Sequence, residues 1–271
     1  MSESGWLTRS LEQPYPYTEN YNGKISNTAV REAFLKIIDY IQNEPKECAN
    51  IVGFLLREAV KIRESNKIVL SPITDPDKLT INNVIKSLEE FIHHNYESSG
   101  GSKIPVLAFY SIYSLLVKEL KRYHGCKLND LGSHTSSDRT AKTSGDIEIY
   151  KNEKLLEALE IKLDHEIDSH LVNRAIEKII KFNPKRYYIL STYGIKNIDQ
   201  DEVSKKVEAL KKDHGCQLII NGLIPSIKYY LRLIENIDDF VNKFSDVVIN
   251  DKELNNIHKK KWEEIRTKYY L

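Results

Sequence analysis

Gly145-Asp146-Ile147-Glu148-Ile149-Tyr150 and, after four intervening residues, Leu155-Leu156-Glu157-Ala158-Leu159-Glu160-Ile161-Lys162-Leu163 are the two runs on which the fold turns. The first alternates apolar and polar residues; the second does so at its far end. Side chains on a strand point alternately to its two faces, so both runs read as strands, joined by a hairpin turn over 151–154. Asp146 then opposes Ile147 and Ile149. Glu160 and Lys162 share one face and oppose Leu159, Ile161 and Leu163. If the strands pair, their polar faces coincide, and two carboxylates and an ammonium converge at the sheet's edge. Glu157 has the parity of Leu159 and is expected away from that group, as a control position.

Working outward, a helix is expected at about 169–182, with Leu171, Val172, Ala175, Ile176, Ile179 and Ile180 buried, stopping before Pro184. Strand 186–192, a helix over 201–214 ended by Gly215, and strand 217–221 follow. Helices at about 225–244 and 251–269 close the chain. This order predicts an α/β fold with a small mixed central sheet flanked by helices. Upstream, Pro105 opens a helix that runs to about Tyr123. Apolar periodicity predicts further helices near 30–41, 50–64 and 81–95. The first 25 residues, with Pro14, Pro16, Gly5 and Gly23, read as an extended arm, and Ser98–Ser102 as a flexible connection. The expected organisation is an N-terminal arm and helical region over 1–102, as a recognition or dimerisation layer, and a core over 103–271.

The chain has 271 residues, 41% of them apolar, enough to bury a full core. Lys and Arg number 40 against 39 Asp and Glu, so there is no whole-molecule basic signature, although a local basic cleft remains compatible with that balance. Three cysteines without C-x-x-C spacing argue against a disulfide framework or a structural zinc site and for reduced thiols in a cytoplasm. No signal peptide and no membrane span are expected. P-loop, H-E-x-x-H, G-x-S-x-G and G-x-G-x-x-G motifs are missing from the sequence, which removes several enzyme classes.

Asp146, Glu160 and Lys162 suit phosphodiester hydrolysis. Carboxylate oxygens hold Mg²⁺, which acidifies a bound water and stabilises charge developing on the phosphate. The lysine orients or activates that water, and the backbone carbonyl of Ile161 is a further ligand candidate. Ser144-Gly145-Asp146 followed by Glu160-Ile161-Lys162 resembles the PD-(D/E)xK nuclease motif over roughly 119–192, with Gly145 in place of the variable proline. With the loop His134-Thr135-Ser136-Ser137-Asp138, it resembles type II restriction endonucleases, the SacI-like group among them. The resemblance implies a restriction-endonuclease-like fold and a site-specific double-stranded DNA endonuclease dependent on Mg²⁺, or Mn²⁺ in its stead. It implies 5′-phosphate ends, homodimers on palindromic DNA, and a cognate DNA methyltransferase in the same system. Two alternatives stay open: a structure-selective repair or junction-resolving nuclease, and a non-catalytic helical DNA-binding or assembly protein.

The resemblance also makes Glu119, on the helix before the motif, either an extra metal ligand or an exposed glutamate. Glu148 shares the face of Asp146 and reads either as a metal ligand or as a surface residue. His134, Ser136, Ser137, Arg139 and Lys142 lie in a small-polar loop leading into the first strand and are candidate DNA contacts. Arg174, Lys178 and Lys181 lie on the polar face of the helix after the motif. Arg174, in its first turns, is the candidate phosphate contact, and the other two read as solvated.

Overall fold

The computed structural model describes residues 17–21, 27–65, 68–131 and 143–271. Contacts divide the chain into two compact units, Met1–Lys67 and Ile68–Leu271. The first contains α1 (Thr28–Asn43) and α2 (Cys48–Ser65). Asn27 caps α1 by accepting the Val30 N–H at 3.1 Å. Most of the arm expected over residues 1–25 lies outside the described residues. The division after Lys67 differs from the one expected at residue 102. Its cause is the helix Ile81–Ile92 (α3), whose buried Val84, Leu88 and Phe91 join the core of the second unit.

The second unit is a five-stranded mixed sheet flanked by helices. Its strands are β1 (Cys126–Leu128), β2 (Ile147–Lys151), β3 (Lys154–Lys162), β4 (Arg186–Ser191) and β5 (Gln217–Gly222), in the order β1-β2-β3-β4-β5. The first three pair antiparallel; β3, β4 and β5 pair parallel. Parallel neighbours need long crossovers, supplied by α5 (Ser169–Phe182) and α6 (Gln200–Asp213). Asp168 starts α5 by accepting the Leu171 N–H at 2.8 Å, and Asn183, at φ 54°, ends it before Pro184. The β2–β3 turn uses Asn152 and Glu153, both at positive φ, as a two-residue hairpin requires.

The expected sheet edge is in fact the end of a central strand: β3 has neighbours on both sides and is covered on both faces. Ile147, Leu159, Ile161, Tyr188 and Leu190 face one core, with α3, α4 (Ile104–Glu119), α7 (Leu223–Leu231), α8 (Ile237–Asn250) and α9 (Asn256–Tyr270). Ala158, Tyr187, Ile189 and Leu218 face the other, against α5 and α6. β2 and β3 pair Ile147 with Leu159 and Glu148 with Ala158, with a bulge after Ile149. That register carries the polar face expected for Asp146 and Glu160 to the side of α5.

Four local expectations changed. Ile180, expected buried, lies on the outer side of α5 and is exposed. The three-residue β1 escaped notice because it is too short to show alternation. The helix expected over 225–244 is two, α7 and α8, interrupted at 232–236. The last helix starts at Asn256, because Asn255 accepts the N–H groups of Ile257 and His258.

Glu157 also departs from its expected role as a neutral control. Its parity is as expected, away from Glu160, but its side chain is fully buried. Oε1 pairs with Arg122 and, at 3.1 Å, with Arg186; Oε2 accepts the Tyr123 hydroxyl at 3.0 Å. Truncation strands these donors beneath the sheet, although the half-exposed arginines regain water. Glu157→Ala should therefore destabilise the fold by about 1–3 kcal/mol. A chemical-denaturation midpoint equal to wild type would show that the network contributes nothing.

Candidate active site

Asp146 immediately precedes β2 and is stitched to β3 from both ends. Its N–H donates to the Leu159 carbonyl at 2.7 Å, and its Oδ2 accepts the Ile161 N–H at 2.7 Å. So close an approach requires glycine next door. A Cβ on Gly145 would stand 2.5 Å from the Leu159 carbonyl oxygen, a backbone atom that cannot swing aside. The preceding turn is fixed by Glu148. Its Oε1 accepts the Ser144 N–H at 2.7 Å and hydroxyl at 2.8 Å; its Oε2 accepts from Asn129 at 3.0 Å and Tyr150 at 3.2 Å. Glu148 is thus not a surface residue, and its two oxygens are taken up by Ser144, Asn129 and Tyr150. It is a buried strut under the Ser144-Gly145-Asp146 turn.

Glu160 lies on the same face as Asp146, near the C-terminal end of β3. Lys162 reaches its Oε1 at 2.8 Å; Lys178, from α5, reaches Oε2 at 2.9 Å; the Tyr187 hydroxyl donates to Oε2 at 2.7 Å. That hydroxyl also lies 2.6 Å from the Ser144 carbonyl, so one hydrogen links the Asp146 turn to Glu160. Burial by itself would raise the Glu160 pKa. The charges of Lys162 and Lys178, with the hydrogen bonds from Lys162 and Tyr187, outweigh it and hold the carboxyl at about 2. Burial first, then the Glu160 charge, pushes the Tyr187 phenol well above its ordinary value, so it remains a donor.

The structure therefore brings together Asp146, Glu160 and Lys162, and adds Lys178 and Tyr187. The Ile161 carbonyl joins them by strand geometry. Successive residues of a strand turn their polar backbone groups to opposite neighbours. The Leu159 carbonyl goes to Asp146 and that of Lys162 to Thr192, so Ile161 directs its carbonyl to the Asp146 side. Glu119 is not brought to the group. It sits at the end of α4, on the other side of the sheet, and accepts the Glu235 N–H at 3.0 Å. Arg174 is exposed on α5 without an ion pair among the described residues. His134, Ser136, Ser137, Arg139 and Lys142 lie outside the described residues.

Among the described residues no cluster of three or more His, Cys, Asp or Glu forms a ready-made metal cage. The donors at this site are two carboxylates and a carbonyl, all hard oxygens. They fit Mg²⁺, which binds through one or two carboxylates and retains waters. Two ammonium groups now neutralise Glu160, the same positive charge that a divalent cation would bring.

The depressed Glu160 carboxyl gives a pH signature in chelator-treated protein. A lowered folded-state pKa stabilises above the ordinary value of 4.5, and the gain is lost as pH falls toward 2. The advantage of wild type over Glu160→Gln should be on the order of 3 kcal/mol near neutrality and shrink through that acid range. Thermal melts of both proteins between pH 2 and 6 test this; parallel curves would mean that Glu160 titrates normally.

No curated protein matches the chain. No helix of the described residues is long and apolar enough to cross a membrane. Residues 80–193, which contain Asp146, Glu160, Lys162, Lys178 and Tyr187, match the family model of the SacI restriction endonuclease C-terminal domain, so this stretch is similar to a type II restriction endonuclease.

Proposed function

We propose that this chain is a Mg²⁺-dependent, site-specific endonuclease of double-stranded DNA that leaves 5′-phosphates. The observation that carries this reading is the shared face of Asp146, Glu160 and Lys162 at the end of a central strand, with Asp146 bonded to the residue between the other two. Asp146, Glu160 and the Ile161 carbonyl hold the cation; Mn²⁺ fits the same oxygens. When bound, the cation acidifies a water and offsets charge developing on the phosphate.

The remaining roles belong to the chain itself. Lys162, whose side chain is 31% exposed, stands on the solvent side of Glu160 and orients the attacking water. Lys178 supplies a second ammonium to the anionic phosphodiester. Tyr187 keeps Glu160 and the Ser144 turn at a fixed separation. Arg174 and the loop residues His134, Ser136, Ser137, Arg139 and Lys142 serve as DNA contacts. A methyltransferase of the same specificity is the expected companion, since cleavage at a fixed site endangers the host's own copies.

Asp146→Ala, Glu160→Ala and Lys162→Ala should each lower cleavage of supercoiled plasmid by about 10²–10⁴-fold or more with the fold intact. EDTA should stop the wild type. In chelator, Asp146→Ala should bind DNA as well as wild type or better, because one carboxylate no longer repels the phosphate; Lys162→Ala should bind no better than wild type. Full activity in EDTA, or in either carboxylate variant, would sink the assignment.

Two-fold assembly completes the reading, because one centre cuts one strand and a palindrome mirrors two-fold symmetry. In the first unit, α2 presents Val52, Leu55, Leu56 and Ile62 at 43–62% exposure, an apolar face that a second copy would cover. Light scattering should show a dimer, and Leu56→Glu with Ile62→Glu should shift it toward monomer. A wild type that stays monomeric with and without DNA removes the dimer.

A further inference from the structure

A second charged surface lies at the other end of the parallel strands. The register aligns Glu157, Arg186 and Gln217 in one row across β3, β4 and β5. Beside that row a cavity of about 530 Å³ is lined by Arg122, Lys151, Lys185, Arg186 and Lys211, with Glu157 as the only carboxylate among the lining residues. The whole chain is almost neutral, 40 basic residues against 39 acidic, so five cations around one buried carboxylate is a local concentration.

Glu157 fixes the geometry of this surface rather than cancelling it. Its Oε1 holds Arg122 and Arg186 from below, while their side chains remain 47% and 41% exposed. The Nε of Arg186 also lies 3.4 Å from Gln217 Oε1. Each guanidinium therefore keeps further N–H groups for a ligand in a fixed orientation. The Lys211 ammonium bonds the neutral Gly215 carbonyl at 3.0 Å and has no carboxylate partner among the described residues. Lys151 and Lys185 are exposed, and the Lys185 backbone is held by the Leu156 carbonyl at 3.0 Å.

We infer that this cavity binds a small ligand with linked phosphates: inorganic pyrophosphate or the diphosphate part of a nucleotide. Anchored arginine forks match phosphate oxygens, and lysines at the rim add point charges. The volume falls in the small-ligand range of about 300–1,000 Å³. Glu157 and Lys162 are five residues apart on one strand, roughly 16 Å. One phosphate group cannot span that distance, so this is not the catalytic end under another description. The inference does not rest on the nuclease reading.

Pyrophosphate is the probe, titrated calorimetrically into the full chain in EDTA at fixed ionic strength. One site per chain is expected. Lys151→Glu combined with Lys185→Glu should weaken binding roughly tenfold or more. Lys185→Ala alone, which cannot disturb folding by charge reversal, should weaken it severalfold. A nucleoside diphosphate binding much more tightly than pyrophosphate would assign the nucleotide as occupant; equal affinity would assign pyrophosphate. Absence of saturable binding, or binding unchanged in both variants, overturns the site. So does a short DNA duplex that displaces pyrophosphate mole for mole and loses affinity in the same variants, since the cavity would then be a DNA-backbone contact.

Discussion

The hydrogen bond from the Ile161 N–H to Asp146 is the constraint on which the candidate site depends. It ties the residue between Glu160 and Lys162 to a carboxylate fourteen positions upstream of Glu160, in the register that the β2–β3 ladder sets and that brings three side chains to one face. A slip of one residue between the strands would put Asp146 and the Glu160–Lys162 pair on opposite faces. Around this bond the chain makes room where it must. Gly145 has no Cβ, which lets the turn lie against Leu159, and Ser144 is gripped by the buried Glu148. What resembles a nuclease motif in the sequence is, in the structure, a backbone crossing that only small residues can make.

Packing then converts register into electrostatics. α5 lies over the Glu160 face of the sheet, and its Lys178 reaches the carboxylate eighteen residues away. Tyr187, on the neighbouring parallel strand, closes the group from the other side. Glu160 stays ionised although largely buried because these charges and donors overcome desolvation. The site is charged before any cation or DNA arrives.

The parts legible in the sequence were those governed by local period. The alternation in 145–163 placed Asp146, Glu160 and Lys162 on one face, and the apolar repeat in 169–182 placed α5. Lys178 was missed because Arg174, Lys178 and Lys181 all occupy one polar stripe, and helical period alone does not say which of them lies above Glu160. Tyr187 was hidden beside Tyr188 in a run that reads simply as core, yet strand parity sends the two rings to opposite faces. Glu119 and Glu148 accept from other donors, the Glu235 N–H and the Ser144 turn, for a related reason: parity and helix position fix a face, while long-range pairing decides which acceptor finds which donor.

Glu157 and Glu160 show the same chemistry resolved in two ways on one strand. Each is a carboxylate with little or no exposure, held by two cations and a tyrosine hydroxyl. The cations differ. Glu157 is held by arginines, planar forks whose several fixed donors make a rigid structural tie. Glu160 is held by lysines, compact charges on flexible stems that can withdraw when a divalent cation takes their place. The arginine-held carboxylate pins its side of the sheet and presents an anchored basic surface. The lysine-held one shares a face with Asp146, where exchangeable positive charge suits the metal-binding role proposed for it. The parity of three residues along β3 separates these roles, and the choice of arginine or lysine as counter-ion assigns them.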